Sequence, residues 1–287
     1  MTAPELSLAY AIDLLAGDPE WFPHPVRLFG LLIKAGDRRS SREMLAGTAL
    51  TLVVVGTGWA IGRPKNPVWR VLMAWTTLAT RSLLDEALAV IDADNLPLAR
   101  QRLARIVGRD TADLNETEIA RAVIETLAES ACDGIVAPLF WLAVGGVPFA
   151  MAYKAINTLD SMIGHSDQPY RHFGRVAARL DDAANFIPAR LTALGIIALA
   201  PRAWPVWRRD GNKHASPNAG QSEAAMAGAL GVQLGGACTY DGQPYNAPLL
   251  NAEGSAPTMQ DARAALRIVA IVSAIAFGLA LLARRKR

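Results

Sequence analysis

The chain has 287 residues, and its 29 Lys and Arg against 26 Asp and Glu leave a formal charge of only +3, so no strong field marks nucleic acid as its partner. Charged residues make up 19%, against roughly 25% in ordinary soluble domains. With Gly counted in place of Tyr the apolar share is about 58%, against roughly 45–50%, which excludes disorder and makes a bilayer the expected surrounding.

In chain order, the first apolar stretch, residues 6–15, is interrupted by Asp13 and preceded by no Lys or Arg, unlike an export signal. An acidic side chain in such a stretch needs a partner or a function. Next come Gly17, Asp18 and Pro19, then Pro23, His24, Pro25 and Arg27. The prolines fix the backbone and present Asp18, His24 and Arg27 from a stiff loop; a rigid loop that simply enters a helix is the competing reading.

Residues 44–62 carry no charge and form the first candidate membrane segment, and residues 68–80 are a shorter apolar run, read as a partner helix. The long polar segment 81–133 reads as helical. Asn115 and Glu118 fit the N-cap and N3 of a capping box, and Ile119, Ala122, Val123 and Leu127 give one apolar stripe. Glu125, Glu129 and Asp133 recur every fourth residue and share a face, behind the Gly108-Arg109-Asp110-Thr111 turn. Clustered carboxylates suit a hard cation such as Mg²⁺, with a phosphate completing its shell; a solvated acidic helix face is the alternative.

Residues 134–153 are apolar but broken by Gly145-Gly146-Val147-Pro148, which predicts a kink or a re-entrant hairpin. The polar segment 154–186 carries Asn157, Asp160, His165, Arg179, Asp181, Asp182 and Asn185. Asp181, Asp182 and Asn185 place three oxygen ligands within about one turn, which suits Mg²⁺ on a polyphosphate or salt bridges at a membrane interface. His165 and His172 lack the spacing of a helical zinc pair, and Cys132 and Cys238 form neither a CxxC nor a disulfide framework.

Residues 187–207 and 264–283 are the remaining candidate membrane segments. Between them, Ser216-Pro217-Asn218-Ala219-Gly220 leads to Glu223, and the turn at Asn218 would offer backbone amides to an anion ahead of a helix. Gly228, Gly231 and Gly235 permit close helix packing, and no P-loop motif occurs. The basic residues 284–287 fit either a cytoplasmic anchor or a solvated tail.

No alternating strand and no internal repeat stand out, so the predicted fold class is all-α. The expectation is one polytopic helical integral membrane domain over residues 1–287, multi-pass in the cytoplasmic membrane. Its polar motif-bearing segments are 17–43, 81–133, 154–186 and 208–263. They share one aqueous side only if 134–153 or 187–207 turns back.

Taken together, GDPEWFPHPVRLFG at 17–30, the run 99–130 containing GRDT, DGIVAPLFW at 133–141 through YKAINTLDSMIGH at 153–165, ARLDDAANFIPARLTAL at 178–194 and SPNAGQSEAAMAGALGVQLGG at 216–236 carry a likeness. They resemble the adenosylcobinamide-phosphate synthase family of cobalamin biosynthesis, the CobD/CbiB type, over most of the chain. Two departures are Ser130, where the family commonly has Asn, and Gln221, where an aromatic is usual.

The resemblance implies a ligase that joins adenosylcobyric acid, a corrinoid, to aminopropanol phosphate or a related amino alcohol phosphate. ATP would be the cosubstrate with Mg²⁺, and the protein would sit among membrane lipid with other membrane-bound cobalamin enzymes as partners. Carried onto this sequence, His24, Asp160 and His165 become catalytic candidates, the histidines as acceptors of the amine proton. Asp18, Arg27, Arg109, Asp110, Asn157, Arg179, Asn218 and Glu223 become candidates for substrate and phosphate binding. Glu125, Glu129, Asp181 and Asp182 become candidates for the metal. A non-catalytic membrane scaffold or sensor is the second reading. A transporter, which would place charged motifs at breaks within spans, is a third.

Overall fold

The computed structural model describes residues 1–19, 21–37, 43–164 and 170–285. In chain order the helices are α1 (Ala3–Ala16), α2 (Pro25–Gly36), α3 (Glu43–Gly62), α4 (Pro67–Trp75), α5 (Thr80–Ile91), α6 (Leu96–Leu103) and α7 (Glu116–Ala131). A single π-helical turn, Cys132–Val136, joins α7 to α8 (Ala137–Gly145). Then come α9 (Val147–Ile163), α10 (Arg175–Leu199), α11 (Ala203–Asp210) and α12 (Ala219–Leu230). Two strands, β1 (Leu234–Tyr240) and β2 (Gln243–Leu250), precede the last helix, α13 (Met259–Arg285).

Among the described residues, four continuous helical runs are long and apolar enough to cross a bilayer: Glu43–Gly62, Glu116–Gly145, Arg175–Leu199 and Met259–Arg285. Three of them also turn large apolar side chains outward. Leu45, Leu52 and Val53 on α3, Ile187 and Leu191 on α10, and Leu279 and Leu282 on α13 are all exposed, an arrangement that suits lipid and not water. The protein is a multi-pass helical membrane protein.

The chain forms two compact units. The first comprises Met1–Arg81, Asp133–Asn185 and Phe277–Arg287. Within it α3 packs on α9, and the contact depends on small residues. A Cβ at Gly58 would stand 2.7 Å from the Met151 carbonyl oxygen, and one at Gly62 would stand 2.5 Å from Pro148 Cα. This is a GxxxG approach of two backbones.

The apolar run 134–153 is divided at Gly146, whose φ of 76° ends α8 and starts α9. The two helices pack against each other, and the Arg284 guanidinium donates to the Leu142 carbonyl in the last turn of α8, where the helix dipole favours a cation. The run 68–80 is not one helix: Pro67–Trp75 forms α4, and Thr80 already begins α5. Asn66 caps the start of α4 by accepting from Trp69 N at 3.1 Å, and the chain turns where the Thr76 and Thr77 hydroxyls donate back to the Met73 and Ala74 carbonyls.

The second unit comprises Ser82–Cys132 and Phe186–Ala276. Helix α7 starts at the predicted capping box: Glu118 N donates to Asn115 Oδ1 at 3.0 Å, and Asn115 N donates to Glu118 Oε2 at 2.8 Å. Its predicted stripe, Ile119, Ala122, Val123 and Leu127, is fully buried. Helix α12 is enclosed from Ala219 to Ala229, and a Cβ at Gly228 would stand 2.8 Å from Ala203 Cα, so close packing on α11 requires the glycine. Gly231 serves differently, as the left-handed C-cap of α12 at φ 77°.

The all-α expectation holds among the described residues apart from one small hairpin of β1 and β2, which no apolar alternation marked. The strands pair antiparallel, with Cys238 opposite Tyr245 and Tyr240 opposite Gln243. Asp241 and Gly242 turn the chain at φ 49° and 73°, the signs that a two-residue hairpin turn of the Asp-Gly type needs. Gly235, Gly236, Pro244 and Pro248 interrupt the apolar alternation that would have marked the strands.

Candidate functional site

In the second unit the hairpin, α7 and α12 enclose a cavity of about 180 Å³. Alternate residues of β1, Gly236, Cys238 and Tyr240, present one face of the strand to it, as do Tyr245 and Ala247 across the ladder. Tyr240 and Tyr245 meet edge to face at 5.8 Å. Helix α7 contributes Arg121, Glu125, Thr126 and Glu129, α12 contributes Glu223, and the turn before α12 contributes His214.

The charges in this cavity are arranged with little slack. Arg109 Nη2 stands 2.6 Å from Glu125 Oε2, with side-chain exposures of 13% and 9%. The other oxygen, Oε1, accepts from the Gly235 amide at 2.8 Å. Arg109 leans on the hairpin through its neighbour, since Asp110 N donates to the Thr239 carbonyl and Asp110 Oδ2 accepts from Gly242 N at 2.8 Å. Arg121 donates to the carbonyls of Gly235 and Ala237, both at 2.8 Å. Burial tends to lower the Arg109 guanidinium, but Glu125 outweighs it and raises its pKa.

Glu223 is 7% exposed, and no hydrogen bond to its carboxyl is made among the described residues. Burial, together with the charges of Glu129 and Glu125, pushes that carboxyl well above the usual carboxylate range, with Arg109 opposing. Burial also pushes the His214 imidazole down, and His214 Nδ1 accepts from Ser216 N at 3.0 Å.

The first unit holds a second polar cluster on one face of α9. Tyr153, Asn157 and Asp160 follow at helical spacing. Asn157 Nδ2 donates to Asp133 Oδ2 at 3.1 Å, and the Tyr153 hydroxyl lies 2.9 Å from Asn185 Oδ1. Asn185 Nδ2 donates to Asp181 Oδ2 at 3.0 Å, leaving Asp181 Oδ1 buried without a hydrogen-bond partner among the described residues. Asp160 faces Asp181 electrostatically, and Arg179 faces Asp182. Asp133 therefore stands with Asn157, within the π turn that follows α7, while Glu125 and Glu129 stand with Glu223. Among the described residues, no three His, Cys, Asp or Glu side chains converge as a metal cage.

His24 is the N-cap of α2: its Nδ1 accepts from Val26 N at 3.2 Å, and its Nε2 lies 3.5 Å from Asp18 Oδ1. Arg27 is exposed on α2. His165 lies outside the described residues. Asn218 Oδ1 accepts from Arg190 at 3.3 Å, and the Asn218 and Ala219 amides both donate to Ser216 Oγ, so that turn satisfies its own donors. Gln221, one of the two departures, donates to the Gly211 carbonyl at 2.8 Å and accepts from Trp207 Nε1 at 2.9 Å.

Sequence reasoning did not single out Arg121, His214, Cys238, Tyr245 or Lys154. Lys154 lies in α9 within the electrostatic reach of Asp18, Asp133 and Asp13. His214 stands two residues before the SPNAG motif, and Tyr245 stands opposite Cys238 only once the hairpin is known.

Comparison with known proteins gives a consistent result. The family model of the CobD/Cbib protein matches residues 6–269. The chain is 46% identical over 267 residues to the cobalamin biosynthesis protein CobD of Geobacter metallireducens, covering 84% of each chain. It is 42% identical to the CobD of Desulfotalea psychrophila, covering 94% of each, and 40% identical to the cobalamin biosynthesis protein CbiB of Salmonella typhimurium, covering 99% of this chain and 98% of that one. No solved structure matches. The chain therefore belongs to the CobD/CbiB family, as a multi-pass helical membrane member.

Proposed function

We propose that the protein acts in cobalamin biosynthesis as an ATP-dependent amide-forming ligase, attaching aminopropanol phosphate or a related amino alcohol phosphate to adenosylcobyric acid. The product is adenosylcobinamide phosphate. One observation carries the enzymatic reading: the motif segments deliver enclosed charged and polar groups, Arg109, Glu125 and Glu223 in one cluster and Asp133, Asn157, Asp181 and Asn185 in the other. Burying such groups costs several kcal/mol per unpaired charge, which a scaffold has no reason to sustain.

A carboxylate does not react with an amine until one oxygen is made a leaving group. In the proposed reaction a corrinoid carboxylate oxygen takes the γ-phosphoryl group and ADP departs. The amine nitrogen then bonds to the acyl carbon, inorganic phosphate leaves, and the amine gives up a proton. Asp160 is our assignment for the proton acceptor, since the Nδ1 lone pair of His24 is committed to the α2 cap. The orphaned, buried Asp181 Oδ1 fits a cation. Asp181 and Asp182 would thus hold Mg²⁺, which uses one or two carboxylates plus phosphate oxygens and needs no complete protein cage. Bound there, the ion would neutralise phosphate charge.

The test is reconstitution in detergent with adenosylcobyric acid, aminopropanol phosphate and Mg-ATP, read by mass spectrometry. Amide product and ADP are expected together, and only when all three substrates are present. Absence of both from folded, corrinoid-binding protein overturns the proposal.

A further inference from the structure

The cavity between the hairpin, α7 and α12 is small and carries two unmatched groups. Its volume of about 180 Å³ falls below the roughly 300–1,000 Å³ of pockets that hold drug-sized ligands, so it is scaled for a small molecule and not for a nucleotide or a corrinoid ring. Glu223 is more than nine-tenths buried and lines the cavity, with no hydrogen bond to its carboxyl among the described residues. Arg121 lines it too. Its guanidinium is held by two backbone carbonyls, so among the described residues no carboxylate forms an ion pair with it. Glu125 offers little to either group, because Arg109 and the Gly235 amide already use both of its oxygens.

An unmatched acid and an unmatched base in one enclosure complement a molecule that carries both charges. A primary ammonium supplies three donors to carboxylates, and a phosphate supplies acceptors to a guanidinium. We infer that this cavity is the subsite for the amine substrate, an aminoalkyl phosphate, with its ammonium on Glu223 and its phosphate toward Arg121. The inference rests on the ligase reading for the identity of that substrate, and on the cavity for its place. Glu223 is then a binding residue that positions the nitrogen.

Cys238 lines the same cavity and is half-buried, whereas Cys132, the other cysteine, is buried. It therefore reports occupancy in the unaltered protein. Ethanolamine phosphate is expected to slow alkylation of Cys238 by N-ethylmaleimide at least about tenfold in the full chain in detergent, while ethyl phosphate, which lacks the amine, changes it less than about twofold. The isosteric Glu223→Gln is expected to abolish the difference at an unchanged melting temperature.

Equal protection by the two phosphates, protection by Mg²⁺ alone, or protection that persists undiminished in Glu223→Gln overturns the inference. The two readings fail separately. Protection without amide product removes the ligase and leaves an aminoalkyl phosphate site, whereas product without protection removes this subsite and leaves the ligase.

Discussion

Arg109 and Glu125 form an enclosed ion pair at 2.6 Å, joining the loop before α7 to the helix itself. Removing one member of such a pair leaves the other charge buried and uncompensated, at a cost of about 3–5 kcal/mol. Glu125→Ala also strips the Gly235 amide of its acceptor. Glu125→Gln loses the charge as well but keeps an oxygen for that amide, and is expected to cost about 1–3 kcal/mol less than Glu125→Ala. Thermal unfolding in detergent separates them, and equal losses in the two variants would mean that the Gly235 hydrogen bond adds nothing to the loss of the charge.

The contact of α3 with α9 makes a second expectation. Gly58→Leu or Gly62→Leu drives a side chain into the α9 backbone at Met151 or Pro148. Overpacking of this kind costs about 1–3 kcal/mol or more. Gly56 lies on the same helix with nothing within 4 Å of its would-be Cβ, so Gly56→Leu is the matched control and should not lower stability. A loss at Gly56 as large as at the other two would show that the close approach to α9 is not its cause.

Much of this architecture was legible in the residues because hydrophobic length and caps are local signals. The Asn115–Glu118 capping box, the buried stripe of α7 and the break at Gly146 each depend on a handful of neighbouring positions. The hairpin was not legible. Its Asp241-Gly242 turn was present, but Gly235, Gly236, Pro244 and Pro248 masked the strands on either side. The cavity was hidden for the same reason: Glu223 and Glu125 are 98 residues apart in sequence, and their closeness exists only once β1 has been placed against α7 by Arg121. Spacing alone likewise put Asp133 on the face of Glu125 and Glu129, because a π turn in mid-helix leaves no strong sequence mark.

The hairpin turn supplies a third expectation. Gly242 adopts φ 73° and donates its amide to Asp110 Oδ2. A Cβ in the left-handed region costs roughly 1–2 kcal/mol, so Gly242→Val should speed hydrogen exchange across β1 and β2. Asp110→Ala should do so at the turn through the lost hydrogen bond. If exchange in β1 is unmoved by both, the Asp110 tether does not hold the hairpin.

The last expectation concerns pH and Asp13. This carboxyl, on α1, is fully buried. Its Oδ2 accepts from Thr80 N at 3.1 Å, capping α5 from outside that helix, and its Oδ1 has no hydrogen-bond partner among the described residues. Burial raises its pKa to about 6, with Asp18 adding and the bonds from Thr80 opposing. A carboxyl whose folded pKa lies above the unfolded value binds its proton more tightly when folded. Its contribution to stability is therefore complete below about pH 4, the unfolded pKa, and is lost as the pH rises through about 6. Asp13→Asn fixes the neutral form and removes that dependence. Relative to the variant, the wild-type chain should lose on the order of 2 kcal/mol between pH about 4.5 and about 7.5, measured as paired unfolding curves in detergent. A constant offset across that range would show that Asp13 is ionised throughout, with its charge compensated in the folded state by a neighbour such as Lys154, which lies within its electrostatic reach.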